Sequence, residues 1–254
     1  LPAVDDSEAL EVTCIQSITG TVSPAGLARK RPFRRPHHTV SPAGMLGGGN
    51  PPMPGEVTLA HRGVLYLDEF CEFRPQVIES LRGPMEDGFI IVSRSHGRVS
   101  FPSRFMLIAS ANPCPCGYLG DPERACVCQG ASLMRYRRRL AGPVIDRIDI
   151  QIEVPRVRRI DLERPVAFLT SDSVRHEIEH ARERQSERFC RNGFTNSAMG
   201  PRHIESIARL APAARRLLLD AVDQMALSAR AYHKLIRVSR TIADLDGAES
   251  VEEG

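Results

Sequence analysis

Three short stretches hold the residues best suited to chemistry. Asp68 and Glu69 follow directly on the apolar run Val64-Leu65-Tyr66-Leu67. An aspartate delivered at the edge of a buried strand can hold magnesium through water. The glutamate beside it can polarise a water for attack on a phosphoryl group. The plainer reading of the pair is as acids welcomed at a helix N-terminus. Cys114, Cys116, Cys126 and Cys128 make two Cys-x-Cys pairs with nine residues between them. Four thiolates on so short a Gly- and Pro-containing excursion suit a tetrahedral zinc ion that knots a loop too small for its own core. Reduced thiols and an iron-sulfur cluster are the alternatives. The third stretch is basic: Arg29, Lys30, Arg31, Arg34 and Arg35 with His37 and His38, and no acid among them. Such a cluster can neutralise phosphates, or be a solvated face, or pair with acids from elsewhere in the fold. A second cluster, Arg135, Arg137, Arg138 and Arg139, lies in a stretch of helical character.

These residues need elements to hold them. Gly63 to Leu67 reads as a buried parallel strand that ends at the acids, and Phe105 to Ala109 as a second one that ends at Ser110-Ala111-Asn112-Pro113. Ile148 to Val154 reads as a further strand. Phe89 to Val92 and Val99 to Phe101 flank the turn signal Ser95-His96-Gly97 and predict a β-hairpin. Leu10, Cys14, Ile15 and Ile18 space an N-terminal helix capped near Asp6 or Ser7. Val77, Ile78 and Leu81 space another after Pro75. From Gly20 to Gly55 glycine and proline are too dense for a long regular element. After about residue 160 the pattern is helical throughout: 174–191, 201–210, 212–226 and 229–245. The expected organisation is an α/β part over 1–156, with an insert over 20–62 and the hairpin at 89–101, then a helical part over 157–254.

Composition sets outer bounds. With 254 residues, 42% hydrophobic and 26% charged, the chain can bury a sizeable core, which excludes fibrous and wholly disordered classes. No apolar run approaches the roughly 20 residues that span a bilayer. The odd count of seven cysteines, without a leader pattern, predicts a reducing, cytoplasmic setting with no disulfide framework. Cys14, Cys71 and Cys190 sit among apolar positions and are expected in the core.

Five segments, in order, carry a resemblance: Arg31-Pro32-Phe33-Arg34-Arg35-Pro36-His37-His38-Thr39; Val64 to Phe70; Ser110 to Gly117; Gly142 to Ile150; and Arg237 to Leu245. Together they span nearly the whole chain. On them the sequence resembles the magnesium-chelatase-like AAA+ ATPases, and within that family the ComM (YifB) branch. The resemblance implies a P-loop NTPase core with a parallel sheet, incomplete at its N-terminus, and a C-terminal all-helical lid. It implies ATP and Mg2+ as cofactors and identical subunits arranged in a ring, expected to be a hexamer. Asp68 and Glu69 would be the Walker B pair and Asn112 sensor 1. Arg147 looks like the arginine finger acting in trans. Arg230 looks like sensor 2, with Arg237 and Arg240 further along the same helix. Asp68, Asn112 and Arg230 would bear on the nucleotide. Read from their neighbours alone, Arg147 could instead pair with Asp146 or Asp149, and Arg230 could be a surface helix residue.

In this family the insert and hairpin line the pore of the ring. That geometry, with charge, makes Arg34, Arg35, His37, His38, Arg94, His96 and Arg98 the candidates for DNA contact. The family's phosphate-cradling Gly-x-x-x-x-Gly-Lys-[Ser/Thr] loop is absent, since the only lysines, Lys30 and Lys234, lack that setting. The resemblance implies an ATP-driven ring motor subunit acting on DNA, in branch migration during natural transformation, and the missing loop makes the expectation a truncated module that does not hydrolyse ATP alone. A chelatase ATPase subunit and a non-catalytic remnant are the other two readings.

Overall fold

A computed structural model of the chain describes residues 1–24, 26–94, 97–140, 142–157, 170–190 and 193–253. The chain divides into two compact units, one over residues 3–158 and one formed by 159–254 with residues 1–2.

The first unit is built on a parallel sheet of β1 (Phe33–Arg34), β4 (Val64–Leu67) and β7 (Met106–Ala109), in the order β1-β4-β7. Phe33 pairs with Val64, and Val64 to Leu67 pair with Met106 to Ala109. β4 is the apolar run ahead of the acids. As the central strand it buries Val64, Leu65 and Leu67, as a strand covered on both faces must. The 3-10 turn Phe70–Glu72 and helices α4 (Pro75–Ser80) and α5 (Arg82–Asp87) follow β4. Phe70, Phe73, Val77 and Leu81 pack into the same core as Leu65 and Leu67, with Met45 of α2 (Pro42–Leu46) and Val57 of α3 (Glu56–Leu59). The two-residue strands β2 (Gly47–Gly48) and β3 (Met53–Pro54) pair antiparallel within the Gly/Pro-rich segment. The hairpin forms as expected but longer, β5 (Phe89–Arg94) on β6 (Gly97–Pro102), and buries Ile90, Val92 and Phe101.

β1 gave no sequence signal of its own, being two residues after a proline. Its place depends on Gly63, where an added Cβ would come within 1.9 Å of the Pro32 carbonyl oxygen. That close approach lets Val64 N–H donate to Pro32 O at 2.8 Å and start the parallel pairing.

α1 (Asp6–Ile18) opens with a capping box: Asp5 accepts from Glu8 N–H at 2.8 Å and Glu8 reaches back to the Asp5 N–H. The expected apolar stripe is shifted, however. Glu8, Ala9, Val12 and Ile15 face inward, while Leu10, Cys14 and Ile18 are exposed. At 100° per residue, positions 10, 14 and 18 lie on the side opposite 8, 12 and 15, so Cys14 is not a core cysteine. Cys190 is not one either: it is the exposed left-handed cap of the helix before it. Cys71 alone of the three is buried.

The strand expected at Ile148 to Val154 does not form. Ile150, Ile152 and Val154 are 62%, 78% and 85% exposed, and the segment pairs with no described strand. Alternating apolar residues cannot make a strand without a ladder partner. β7 has the matching feature, pairing on one side only among the described residues and leaving Met106 and Ile108 exposed.

The second unit comprises α7 (Ser171–Phe189), α8 (Pro201–Ile207), α9 (Pro212–Met225) and α10 (Ala229–Leu245). Its centre is polar. Arg240, wholly buried, donates to Asp244 at 3.0 Å and to Ala248 O at 2.6 Å. Asp244 also takes Arg188 and the Asn196 amide, the latter at 2.7 Å. Each buried charge is thereby paired and hydrogen-bonded, which is the condition for keeping it there. Met199, Ile204, Ala208 and Ile236 form the apolar cluster beside this network.

Candidate functional site

The parallel sheet brings the ends of β4 and β7 together. The ladder continues one step past the strands, with Ser110 N–H donating to Leu67 O at 3.0 Å and Phe70 N–H to Ser110 O at 2.8 Å. Asp68 and Glu69 therefore leave β4 beside Ser110. Asp68 Oδ1 accepts from Ser110 Oγ at 2.5 Å, from Tyr66 Oη at 3.3 Å and from the Glu69 N–H at 3.1 Å, and Oδ2 accepts from Arg35. The Ser110 bond, more than the Arg35 and Tyr66 contacts, holds the Asp68 carboxyl below its ordinary range. It is ionised at neutral pH. Glu69 stands in the left-handed region, φ 53°, which turns its carboxylate into solvent, 57% exposed and 3.4 Å from His38 Nδ1.

Asn112 lies two residues beyond Ser110 with an exposed side chain. Its carbonyl accepts from Tyr136 Oη at 3.0 Å, which ties this loop to α6 (Gly130–Arg139). The chemistry fits a hard divalent cation with a nucleotide: an ionised carboxylate and a hydroxyl at an open strand end. Asp68 would hold magnesium, which screens phosphate charge and polarises the reacting phosphoryl group when bound.

The basic stretch is not one surface. Arg31 is drawn into the fold against buried Glu8 at 2.7 Å. Arg34 makes a two-pronged pair with Glu56 at 2.6 and 2.7 Å, Arg35 reaches Asp68, and His38 reaches Glu69. His37 stacks on His38, centroids 4.1 Å apart. Arg98 is exposed on β6. Arg94 is the last residue of β5, and His96 lies outside the described residues. Arg147 binds in cis, to Glu86 and Pro143 O, rather than to Asp146 or Asp149. Arg230 is exposed near the start of α10 in the helical unit. Ser110, Tyr66 and Glu86 were not singled out from sequence. The position of Ser110 at the end of a strand neighbouring the acidic one was the available signal.

The four cysteines converge. Sγ of Cys114 lies 3.4 Å from that of Cys116 and 3.6 Å from that of Cys126, Cys116 and Cys126 are 3.6 Å apart, and with Cys128 all four fall within 4.8 Å. Zinc-sulfur bonds of about 2.3 Å imply tetrahedron edges of about 3.8 Å, close to this spacing. Cys116 is pulled down to about 6, first by the Tyr118 N–H, while burial pushes Cys128 up to about 12. Four sulfurs so close do not all ionise without a counter-charge, and a soft divalent cation supplies it. The loop is otherwise held by Asp121, which accepts from the Glu123 and Arg124 N–H groups, and by Arg124 over the Tyr118 ring at 3.9 Å.

A parallel sheet whose central strand delivers two acids at its C-terminal end, with a separate helical unit, fits the architecture of an AAA+ P-loop nucleotide hydrolase. Residues 1–162 match the family described as magnesium chelatase, subunit ChlI, and residues 169–254 match its C-terminal region; the chain belongs to this family. Over 253 residues it is 40% identical to the competence protein ComM of Haemophilus influenzae, covering 99% of this chain and 48% of that protein. It is 38% identical to the uncharacterized protein YifB of Escherichia coli K12, covering 99% and 49%. The chloroplastic magnesium-chelatase subunit ChlI of rice matches over 60 residues at 37% identity, 24% of this chain and 14% of that one. The chain thus spans about half the length of the curated relatives it matches most fully.

Proposed function

We propose that the protein is an ATP-hydrolysing AAA+ motor subunit that acts on DNA in the manner of the ComM branch, in branch migration during natural transformation. The observation that carries the catalytic half is the convergence of Asp68, Glu69, Ser110 and the Asn112 loop at one end of the sheet. Asp68 is the magnesium-facing acid, Glu69 the base that activates water, and Asn112 the polar group toward the terminal phosphate. Arg147 and Arg230 supply charge from a neighbouring subunit and from the lid, Arg147 after leaving Glu86. The DNA half rests on likeness to ComM over nearly the whole chain, against a match to the rice chelatase subunit confined to 60 residues. His37, Arg98, Arg94 and His96 would meet phosphates, joined by Arg34, Arg35 and His38 where their ion pairs open. The ring of identical subunits, expected to be a hexamer, and a cytoplasmic location belong to the same reading. No helix among the described residues is long and apolar enough to cross a membrane.

The 254 residues contain no phosphate-cradling loop, so we propose that the isolated chain does not turn over ATP. Activity is to be tested in the full-length protein. There Glu69→Gln should cut hydrolysis by about 100-fold or more while leaving nucleotide binding intact. Unchanged turnover would remove the assignment. The four cysteines are proposed to hold a structural zinc ion.

A further inference from the structure

The structure assigns Arg35 a role at the acidic strand end itself: it is the resident counter-cation of Asp68, which magnesium must displace, so that loading the cation frees the Arg35 side chain and loosens the stretch from Arg35 to His38 that follows β1. This rests on the reading of Asp68 as the magnesium-facing acid.

The two oxygens of Asp68 are used differently. Oδ1 is filled by three donors of the sheet end, Ser110 Oγ, Tyr66 Oη and the Glu69 N–H. Oδ2 takes Arg35. The fixed donors leave Oδ2 as the oxygen an incoming cation can take, and the guanidinium stands on it. Arg35 is built to be exchanged. Its side chain is 59% exposed, its guanidinium carbon lies 5.5 Å from the Tyr66 ring centroid, and it makes one prong to one oxygen. Neighbouring Arg34 is the contrast, gripping Glu56 with two in the bidentate form that resists exchange. A divalent cation at Asp68 would put two further positive charges beside the guanidinium. Like charges at contact distance repel, and the one held by a single solvent-exposed ion pair yields, keeping its contact with the Tyr66 ring.

Release has a mechanical consequence, because past β1 two ion pairs hold the stretch 35–38 to the acids, Arg35 on Asp68 and His38 on Glu69. With Arg35 displaced, His38 remains as the tether, and the arginine becomes available to an anion such as a phosphodiester. The contact thereby links what is bound at the strand end to the charge that the segment shows to solvent.

The test titrates Mn2+ in the presence of ADP against the full-length protein, read by electron paramagnetic resonance, in wild type, Arg35→Ala, Arg35→Lys and Asp68→Asn. Arg35→Ala should tighten manganese binding roughly threefold to fivefold, with Arg35→Lys between it and wild type. Unchanged or weaker binding in Arg35→Ala overturns the proposal. Asp68→Asn separates the two readings: if it keeps wild-type affinity, Asp68 is not the metal-facing acid and the site assignment fails, whatever Arg35 does. Should Arg35→Ala lose its cooperative melt, hydrogen exchange of wild-type residues 33–46 decides. Faster exchange on adding Mn2+ with ADP supports release, and unchanged or slower exchange overturns it.

Discussion

The ends of β4 and β7 carry two sites of opposite electrostatic design. At the acids the chain supplies its own compensation: Arg35 stands on Asp68, His38 on Glu69, and Ser110 Oγ, Tyr66 Oη and the Glu69 N–H donate to Asp68 Oδ1. At the cysteines it supplies none of that kind. Four sulfurs lie within 4.8 Å, Cys114 wholly buried, helped by backbone N–H groups at Cys116, Cys126 and Cys128. A site with internal counter-charges can exist with or without its cation, and so can cycle. A site without them depends on the ion for its shape. On the proposed function the contrast would separate a working cation from a structural one, and it can be broken by experiment.

The largest effect should come from the sulfur site. Cys114→Ala, or treatment with a strong chelator, is expected to take zinc from about one per chain to none. It should lower the melting midpoint by about 10 °C or more, because binding free energy at a structural zinc site is folding free energy. Elemental analysis and calorimetry check both. The loop 114–128 should then become the first point of proteolysis. Purified protein that lacks stoichiometric metal yet melts normally would place the cysteines with ordinary reduced thiols and dissolve the contrast.

Both sites were legible in the sequence for the same reason: their ligands are neighbours in the chain. Asp68-Glu69 after four apolar residues, and two Cys-x-Cys pairs nine residues apart, need only a strand and a loop to become sites. What stayed hidden was pairing over long separations. Nothing local says that Arg31 goes to Glu8, Arg34 to Glu56 and Arg35 to Asp68, so a run of like charges read as one surface separates into three fates. β1 escaped because two residues have no periodicity, and its position is fixed by Gly63 and Pro32 across the sheet. The strand expected at 148–154 failed conversely, its alternation present but its ladder partner absent among the described residues. On α1 the error was one of phase. Burial follows Glu8 and Val12 because Glu8 serves Arg31, an ion pair that a hydrophobic pattern does not weigh.

An intermediate effect distinguishes framework acids from site acids. Glu8 and Arg31 face each other at 2.7 Å with side chains only 8% and 10% exposed. Glu8→Gln removes the buried charge that faces the Arg31 guanidinium, while its amide oxygen can still accept from the Asp5 N–H and keep the α1 capping box. The expected loss is about 3 kcal/mol, seen as a lower denaturation midpoint at unchanged slope. Asp68→Asn, in an open site, should leave the midpoint where it is. If the two substitutions destabilise alike, Asp68 is a framework acid, and the idea of a carboxylate kept free for a cation loses its footing.

The smallest effect reads the same distinction through pH. Glu11 is held down to about 2, first by its hydrogen bonds from Arg62, against burial that acts the other way, with His61 assisting. Its folded value lies below its ordinary 4.5, so the folded state binds fewer protons there than the unfolded state does. The resulting stabilisation is complete above about 4.5 and is lost as pH falls toward 2. With 42% of the side chain exposed, solvent screening cuts it to about 1 kcal/mol. The difference in unfolding free energy between wild type and Glu11→Gln should therefore be constant from pH 7 to 5 and shrink steadily below that. Glu11 also favours the charged form of His61, which burial opposes, so both proteins are compared in a His61→Gln background; any metal lost from the cysteines in acid is lost from both. A difference that stays constant down to pH 3 would mean that Glu11 contributes through packing alone, leaving the compensated carboxylates of this unit without a measurable electrostatic role.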